Sequence, residues 1–301
     1  MMTVALAHEG AFGFALQTAK GTFVQPDNWL PLMDGGRGAA DTVALRKNYA
    51  PLDLADMRAF QTGYYSPGQW VEGTLRFPLV PGALGDLLDW IQARDSDNQG
   101  KWASAVIDCV HTVKKITDLK VRRAIFDCVV GEPVWCTLEV VGLQMEVGVT
   151  PAATMPTTPP YLFREATVEL ATGGTPAEDG NCERLRVVID TCLEEPEKGL
   201  RLTPSSGPVQ LYNLAGLRAG GSFSRDFVDS AVYADFVLGT EAALAVTLQR
   251  GAAVAEIALP RILHTADGLG LPGSHERRIV EEVEFLALGS ADGTTAPVVL
   301  G

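Results

Sequence analysis

The sequence predicts a mainly β fold: two tandem β-sandwich/barrel domains, each with one short flanking α-helix, preceded by an extended N-terminal arm. Three observations predict it. One order of elements runs twice along the 301 residues, namely strand, short helix, hairpin and last strand. The strand candidates alternate apolar and polar residues with period two. A stretch with four prolines, residues 149–160, separates the two runs and favours an extended conformation without a core of its own.

The elements follow in order. Residues 1–60 are turn and loop chemistry with single aromatic anchors, Phe12, Phe14 and Trp29, and read as an arm that packs on its own domain or on a neighbour. In 70–77, Val71, Leu75 and Phe77 share one face of a strand, with Glu72, Thr74 and Arg76 on the other. Pro81 suits a first helical turn, and Leu84, Leu87, Leu88 and Ile91 then recur at helical spacing. The polar stretch 92–102 reads as a turn or an external decoration. A hairpin around 120–126 and a long strand over 134–143 complete the first run. Strands at 166–170 and 185–190 open the second part, and 193–208 is loop. The second run has a strand at 221–227 and a helix in 228–238, with Asp229 as its cap and Val232, Phe236 and Val237 on its apolar side. A hairpin at 253–259, a last strand at 279–288 and a final short strand or docking tail at 296–300 end the chain. The expected division is 1–60 arm and loops belonging to the first domain, 61–150 first β-sandwich, 151–160 linker and 161–301 second β-sandwich.

Composition narrows the function classes. A net charge of −13 opposes a basic groove that would hold nucleic acid by neutralising phosphates, yet suits a surface past which DNA slides without sticking. Neither a secretory leader nor an apolar run near ~20 residues is recognisable, so membrane insertion is not expected. Five cysteines with no C-x-x-C pair read as free thiols in a reducing compartment.

Candidate chemistry is sparse. Gly268, Gly270 and Gly273 have the G-x-G-x-x-G spacing, but Pro272 falls inside it and the residues that follow alternate like a strand, so the stretch reads as a long hairpin loop and not a nucleotide site. His264 and His275 flank that loop with Asp267 between them, and solvated loop histidines fit this spacing better than metal ligands. Cys128 and Cys136 face each other across a turn as small buried thiols. No nucleophile elbow and no Cys–His pair is present, so no catalytic residue, metal or cofactor is expected. Glu281, Glu282 and Glu284 crowd the last strand of the second run, either as an ordinary exposed face or as the negative wall of a channel.

The residues 9–13 followed by 29–31, the stretch 63–80 leading to Pro81, and 253–261 followed by a Gly-rich loop and 280–288 resemble the tail tube (major tail) proteins of long-tailed bacteriophages, in their two-domain form. The resemblance spans nearly the full chain by order of elements. It implies a structural virion protein whose copies form trimeric pseudo-hexameric or hexameric rings. These would stack into a tube through which DNA passes unbound. Tape-measure, tail-tip and terminator proteins would be its partners, with assembly in the host cytoplasm. It further implies that the loop carrying His264, Asp267, Gly268, Gly270, Pro272 and His275 stacks rings, that Phe12, Phe14 and Trp29 contact a neighbouring subunit, and that Glu281, Glu282 and Glu284 face the lumen. The alternative is a carbohydrate- or receptor-binding β-sandwich on a virion or cell surface.

Overall fold

The structure is a computed structural model and describes residues 11–30, 43–52, 63–108, 112–148, 154–171, 177–203, 207–270, 278–290 and 295–301. The strands are β1 (Ala11–Leu16), β2 (Asn28–Leu30), β3 (Val43–Leu52), β4 (Gly63–Pro78), β5 (Ala103–Asp108), β6 (Val113–Val129) and β7 (Trp135–Val147) in the first half. The second half holds β8 (Ala166–Ala171), β9 (Ala177–Glu178), β10 (Cys182–Asp190), β11 (Arg218–Asp226), β12 (Ala242–Arg250), β13 (Ala253–Gly270), β14 (Val280–Ala287) and β15 (Val299–Leu300). Among the described residues one α-helix lies in each half, α1 (Leu84–Gln92) and α2 (Ala231–Leu238). The mainly β class is as the sequence predicts. Among the described residues no helix is long and apolar enough to cross a membrane.

The local rules of the chain explain most elements. In β4, Val71, Leu75 and Phe77 are buried while Glu72, Thr74 and Arg76 stay half-exposed, as a period of two requires. Pro81 opens a 3₁₀ turn that leads into α1. There Leu84, Leu87, Leu88 and Ile91 are buried, joined by Trp90, which stacks on Phe14 with ring centroids 5.0 Å apart. Helix α2 departs from expectation. Asp229 does accept the Ala231 N–H (3.0 Å), but among its hydrophobic residues only Val232 is buried, while Tyr233, Val237 and Leu238 face outward.

Two expected hairpins are single long strands. Residues 120–126 lie within β6, and 253–259 begin β13. Each of these strands bonds to both the strand before it and the strand after it. Its first part pairs with the preceding strand, β5 for β6 and β12 for β13. On the other edge, β6 pairs with β7 along nearly its whole length, and the last part of β13, from Ile262, pairs with β14. Asp118, at φ 61°, sits where β6 bends, and its carboxylate accepts the Gly21 N–H at 2.7 Å.

The register makes the internal repeat quantitative. In the first half, irregularities fall between Ala103 and Ala105 in the β5–β6 ladder and between Val121 and Arg123 in β6–β7. In the second half they fall between Ala242 and Leu244 in β12–β13 and between His264 and Ala266 in β13–β14. Superposing these bulges sets Leu119 on Ile262, Arg123 on Ala266, Glu139 on Glu284 and Gly73 on Gly221. The wall of each half is therefore the same four-strand unit: β3–β4–β7–β6 in the first and β10–β11–β14–β13 in the second. The two units are hydrogen-bonded to each other, because β10 pairs with the last part of β6 from Val129 to Arg123. All fifteen strands consequently belong to one sheet. The core lies on one side of this wall, where Leu75, Phe77, Phe126 and Leu138 meet α1, β1 and β5, and it continues without a break to Phe223, Val283 and Phe285.

Close approach of β10 to β11 demands glycine. A Cβ on Gly221 would stand 1.9 Å from the Arg186 carbonyl oxygen and 2.9 Å from Phe285. Gly221→Ala should therefore lower the unfolding free energy by about 2 kcal/mol, read from the urea midpoint, because β10 and β11 must separate to admit the methyl. An unchanged midpoint would contradict this packing.

Candidate functional site

The face of the wall turned away from the core is a broad polar surface. Reading across β7, β6, β10, β11 and β14, one row runs Trp135, Asp127, Arg186, Ser222 and Glu284. The adjacent row on the same face runs Val129, Arg184, Ser224 and Glu282 and ends on β13 at Gly268. Alternation dictates which residues appear here, since each neighbour in sequence points into the core. The face carries both charges. Arg123 lies 3.4 Å from Glu139 and 3.6 Å from Asp190, Arg186 lies 3.8 Å from Asp127, and the Arg76 guanidinium sits 4.6 Å over the Trp135 ring. Acids are concentrated at the β14 end and arginines on β10.

On the core side of β14 lies a different arrangement. Glu281 is fully buried, 3.6 Å from the Arg225 guanidinium, which also reaches Asp179 at 3.3 Å. Burial, then the neighbouring Asp267 carboxylate, pushes the Glu281 carboxyl up to about 7. Burial likewise raises Asp267 and lowers the His264 imidazole. His264 packs edge-on to Phe223 at 6.1 Å. Among the described residues no three His, Cys, Asp or Glu side chains converge as a metal-ligand set. Cys128, Cys136, Cys182 and Cys192 are free, and burial pushes the Cys128 thiol up to about 12.

Several sequence expectations change against this geometry. Glu282 and Glu284 share the polar face, but Glu281 has the opposite parity and turns inward, so the three acids do not form one set. His264, Asp267, Gly268 and Gly270 are not loop residues: they lie in β13, paired with β14, because the strand continues to Gly270. Pro272 and His275 lie outside the described residues. Phe12 and Phe14 are completely buried in the main core and Trp29 packs with Val106 and Val113, so these three side chains are spent inside their own chain and present no surface to a neighbour. The arm is in fact part of the sheet, β1 pairing with β5 and β2 with β1.

One cluster has no counterpart in the sequence reading. The Lys120 ammonium is buried beneath the β10–β11 connection, donating to the Leu211 carbonyl (3.0 Å) and the Asn213 Oδ1 (3.1 Å), with the Trp102 ring 4.5 Å away. Asn213 also accepts the Gly100 N–H (2.9 Å) and donates to the Thr191 carbonyl (2.8 Å). Gln99 completes the clamp, accepting the Asn213 N–H at 2.8 Å. The polar stretch 92–102 is thus fastened to the second half and is not an external decoration.

A family model described as phage tail tube protein matches residues 7–294 of this chain, nearly its whole length. No curated protein matches it.

Proposed function

The chain belongs to the phage tail tube protein family, and from that membership we propose that its copies join edge to edge into closed rings that stack into the tail tube. Its role is structural, within the virion tail. The observation that carries the ring reading is the β6–β10 ladder, by which two equivalent wall units already continue one sheet inside a single chain. Repeating that join between chains is a heterologous contact, which closes into a ring when the rotation permits. Closure also removes the exposed strand edges that otherwise invite aggregation. With two units per chain, three chains form a pseudo-six-fold ring.

In this reading the polar face of the wall lines the lumen. Glu282 and Glu284 supply its acidic bands, Arg123, Arg186 and Arg76 are held by carboxylates or by an indole, and Arg184 stands exposed on β10 as the cation most open to a phosphate. That charge pattern suits passage without specific binding. The β13–β14 connection, to which Pro272 and His275 belong, contacts the next ring, and tape-measure, tail-tip and terminator proteins cap or template the stack during assembly in the host cytoplasm.

Negative-stain electron microscopy with light scattering on the concentrated full chain tests this. Rings or hollow tubes with three-fold end views are expected. A monodisperse monomer that stays inert when offered tail-tip complexes would end the tube reading.

A further inference from the structure

The two outer strand edges of the wall have no partner among the described residues. One is the side of β3 away from β4, and the other is the side of residues 263–270 of β13 away from β14. The internal repeat says what each lacks. In the second unit, β10 holds the place that β3 holds in the first: Val187 is opposite Gly221 as Val43 is opposite Gly73, and Asp190 is opposite Arg218 as Arg46 is opposite Trp70. Strand β10 does not end its sheet. Its other edge pairs with β6, Val187 on Phe126, Val188 on Ile125, Ile189 on Ala124 and Asp190 on Arg123. Strand β6 corresponds in turn to β13, with Phe126, Ile125, Ala124 and Arg123 matching Leu269, Gly268, Asp267 and Ala266.

We infer that β3 of one chain pairs antiparallel with the end of β13 of the next copy, in the register Val43 on Leu269, Ala44 on Gly268, Leu45 on Asp267 and Arg46 on Ala266. This rests on the ring reading and specifies its contact. Side-chain parity agrees: Val43 is buried and Leu45 packs against the core, whereas Ala44 and Arg46 look to the polar face. Charge agrees as well. At the internal join the cation stands on the middle strand, Arg123, between Asp190 and Glu139. At the join between chains that middle position is Ala266. The cation is instead Arg46 on the incoming strand, and the acid in the place of Glu139 is Glu284. Two strand spacings, roughly 10 Å, separate β3 from β14, a gap that an extended arginine and glutamate bridge over a small alanine. Arg46 is more than half exposed and, among the described residues, its ion-pair partner is Glu72 on its own sheet face, at 3.1 Å, a surface pair that a neighbour's carboxylate can compete for.

Cysteines report the register. In the full chain carrying Arg46→Cys and Ala266→Cys, mild oxidation of assembled material should give covalent species that end at a closed three-chain ring, since directly opposed strand residues suit disulfide geometry. The pair Arg46→Cys with Gly268→Cys, on the same face but two residues out of register, and each single variant should stay uncross-linked. In a parallel charge test, Arg46→Glu should cut assembly at least about tenfold, the equivalent of ~1.4 kcal/mol per contact, and Glu284→Arg added to it should restore assembly. Rings seen by microscopy without the 46–266 cross-link, or with the 46–268 cross-link preferred, would overturn the register while leaving the tube reading intact. A chain that never associates, even with tail tips, would overturn both.

Discussion

Asn213→Ala is expected to lower the unfolding free energy by about 4 kcal/mol and to do so through a charge left stranded. The amide is the centre of a buried polar cluster: its oxygen serves both the Lys120 ammonium and the Gly100 N–H, and its nitrogen satisfies the Thr191 carbonyl. Removing it leaves Lys120 with the Leu211 carbonyl as its hydrogen-bond acceptor. The cost of that arrangement is already visible in the wild-type chain, where burial, with Arg94 nearby, lowers the Lys120 pKa to about 8. An unpaired buried donor or acceptor costs ~1–3 kcal/mol, and a buried charge that loses a partner costs more. Urea unfolding of the dilute, monomeric variant measures the effect. A loss below ~1 kcal/mol would mean that water replaces the amide and that the cluster is open to solvent.

Stability should also fall as pH rises from about 4.5 to 7, by about 3 kcal/mol, because of Glu281. The sign follows from the direction of the shift. The folded chain holds the Glu281 proton more tightly than the unfolded chain does, so this group favours folding most at acid pH. Its contribution is lost as pH climbs through the folded value of about 7. The groups around it are Asp267, Asp229 and Arg225, and the two carboxylates outweigh the single guanidinium that Asp179 shares. Glu281→Gln removes this titration while keeping the shape, so its stability should fall less than the wild type's across this window, with Asp267 and His264 supplying what dependence is left. Parallel slopes for wild type and variant in denaturation series between pH 5 and 8 would show that Glu281 is ionised throughout.

What was legible in the sequence was local. The spacing of Leu84, Leu87, Leu88 and Ile91 marks α1 because a helix needs only its own residues to show a face. The alternation in 70–77 marks β4 for the same reason. For helix α2 the sequence places Val232, Phe236 and Val237 on one apolar side, yet apolar residues lie all around the helix and only Val232 is buried, so the pattern does not say which side is covered. Glu281 was grouped with Glu282 and Glu284 by composition, although strand parity alone separates it from them. Residues 43–52 carry Arg46, Lys47, Asn48 and Pro51 and do not announce a strand, since an edge strand needs no second apolar face. The contacts that matter most for the proposed site were out of reach. The pairing of β6 with β10 joins residues about sixty apart, and Lys120 meets Asn213 across 93 positions, with no periodicity to betray either.

The double membership of β6 has one more consequence, and it concerns cooperativity. The strand is bonded to β5 near its start, to β10 near its end and to β7 throughout. Opening the outer layer at β5 therefore exposes the amides of a strand that the wall still needs, and peeling β10 away does the same from the other side. The two halves cannot melt as separate foldons. A proline-rich connection that looks like a seam in the chain is not a seam in its energy, and local damage in either half is felt across the whole molecule.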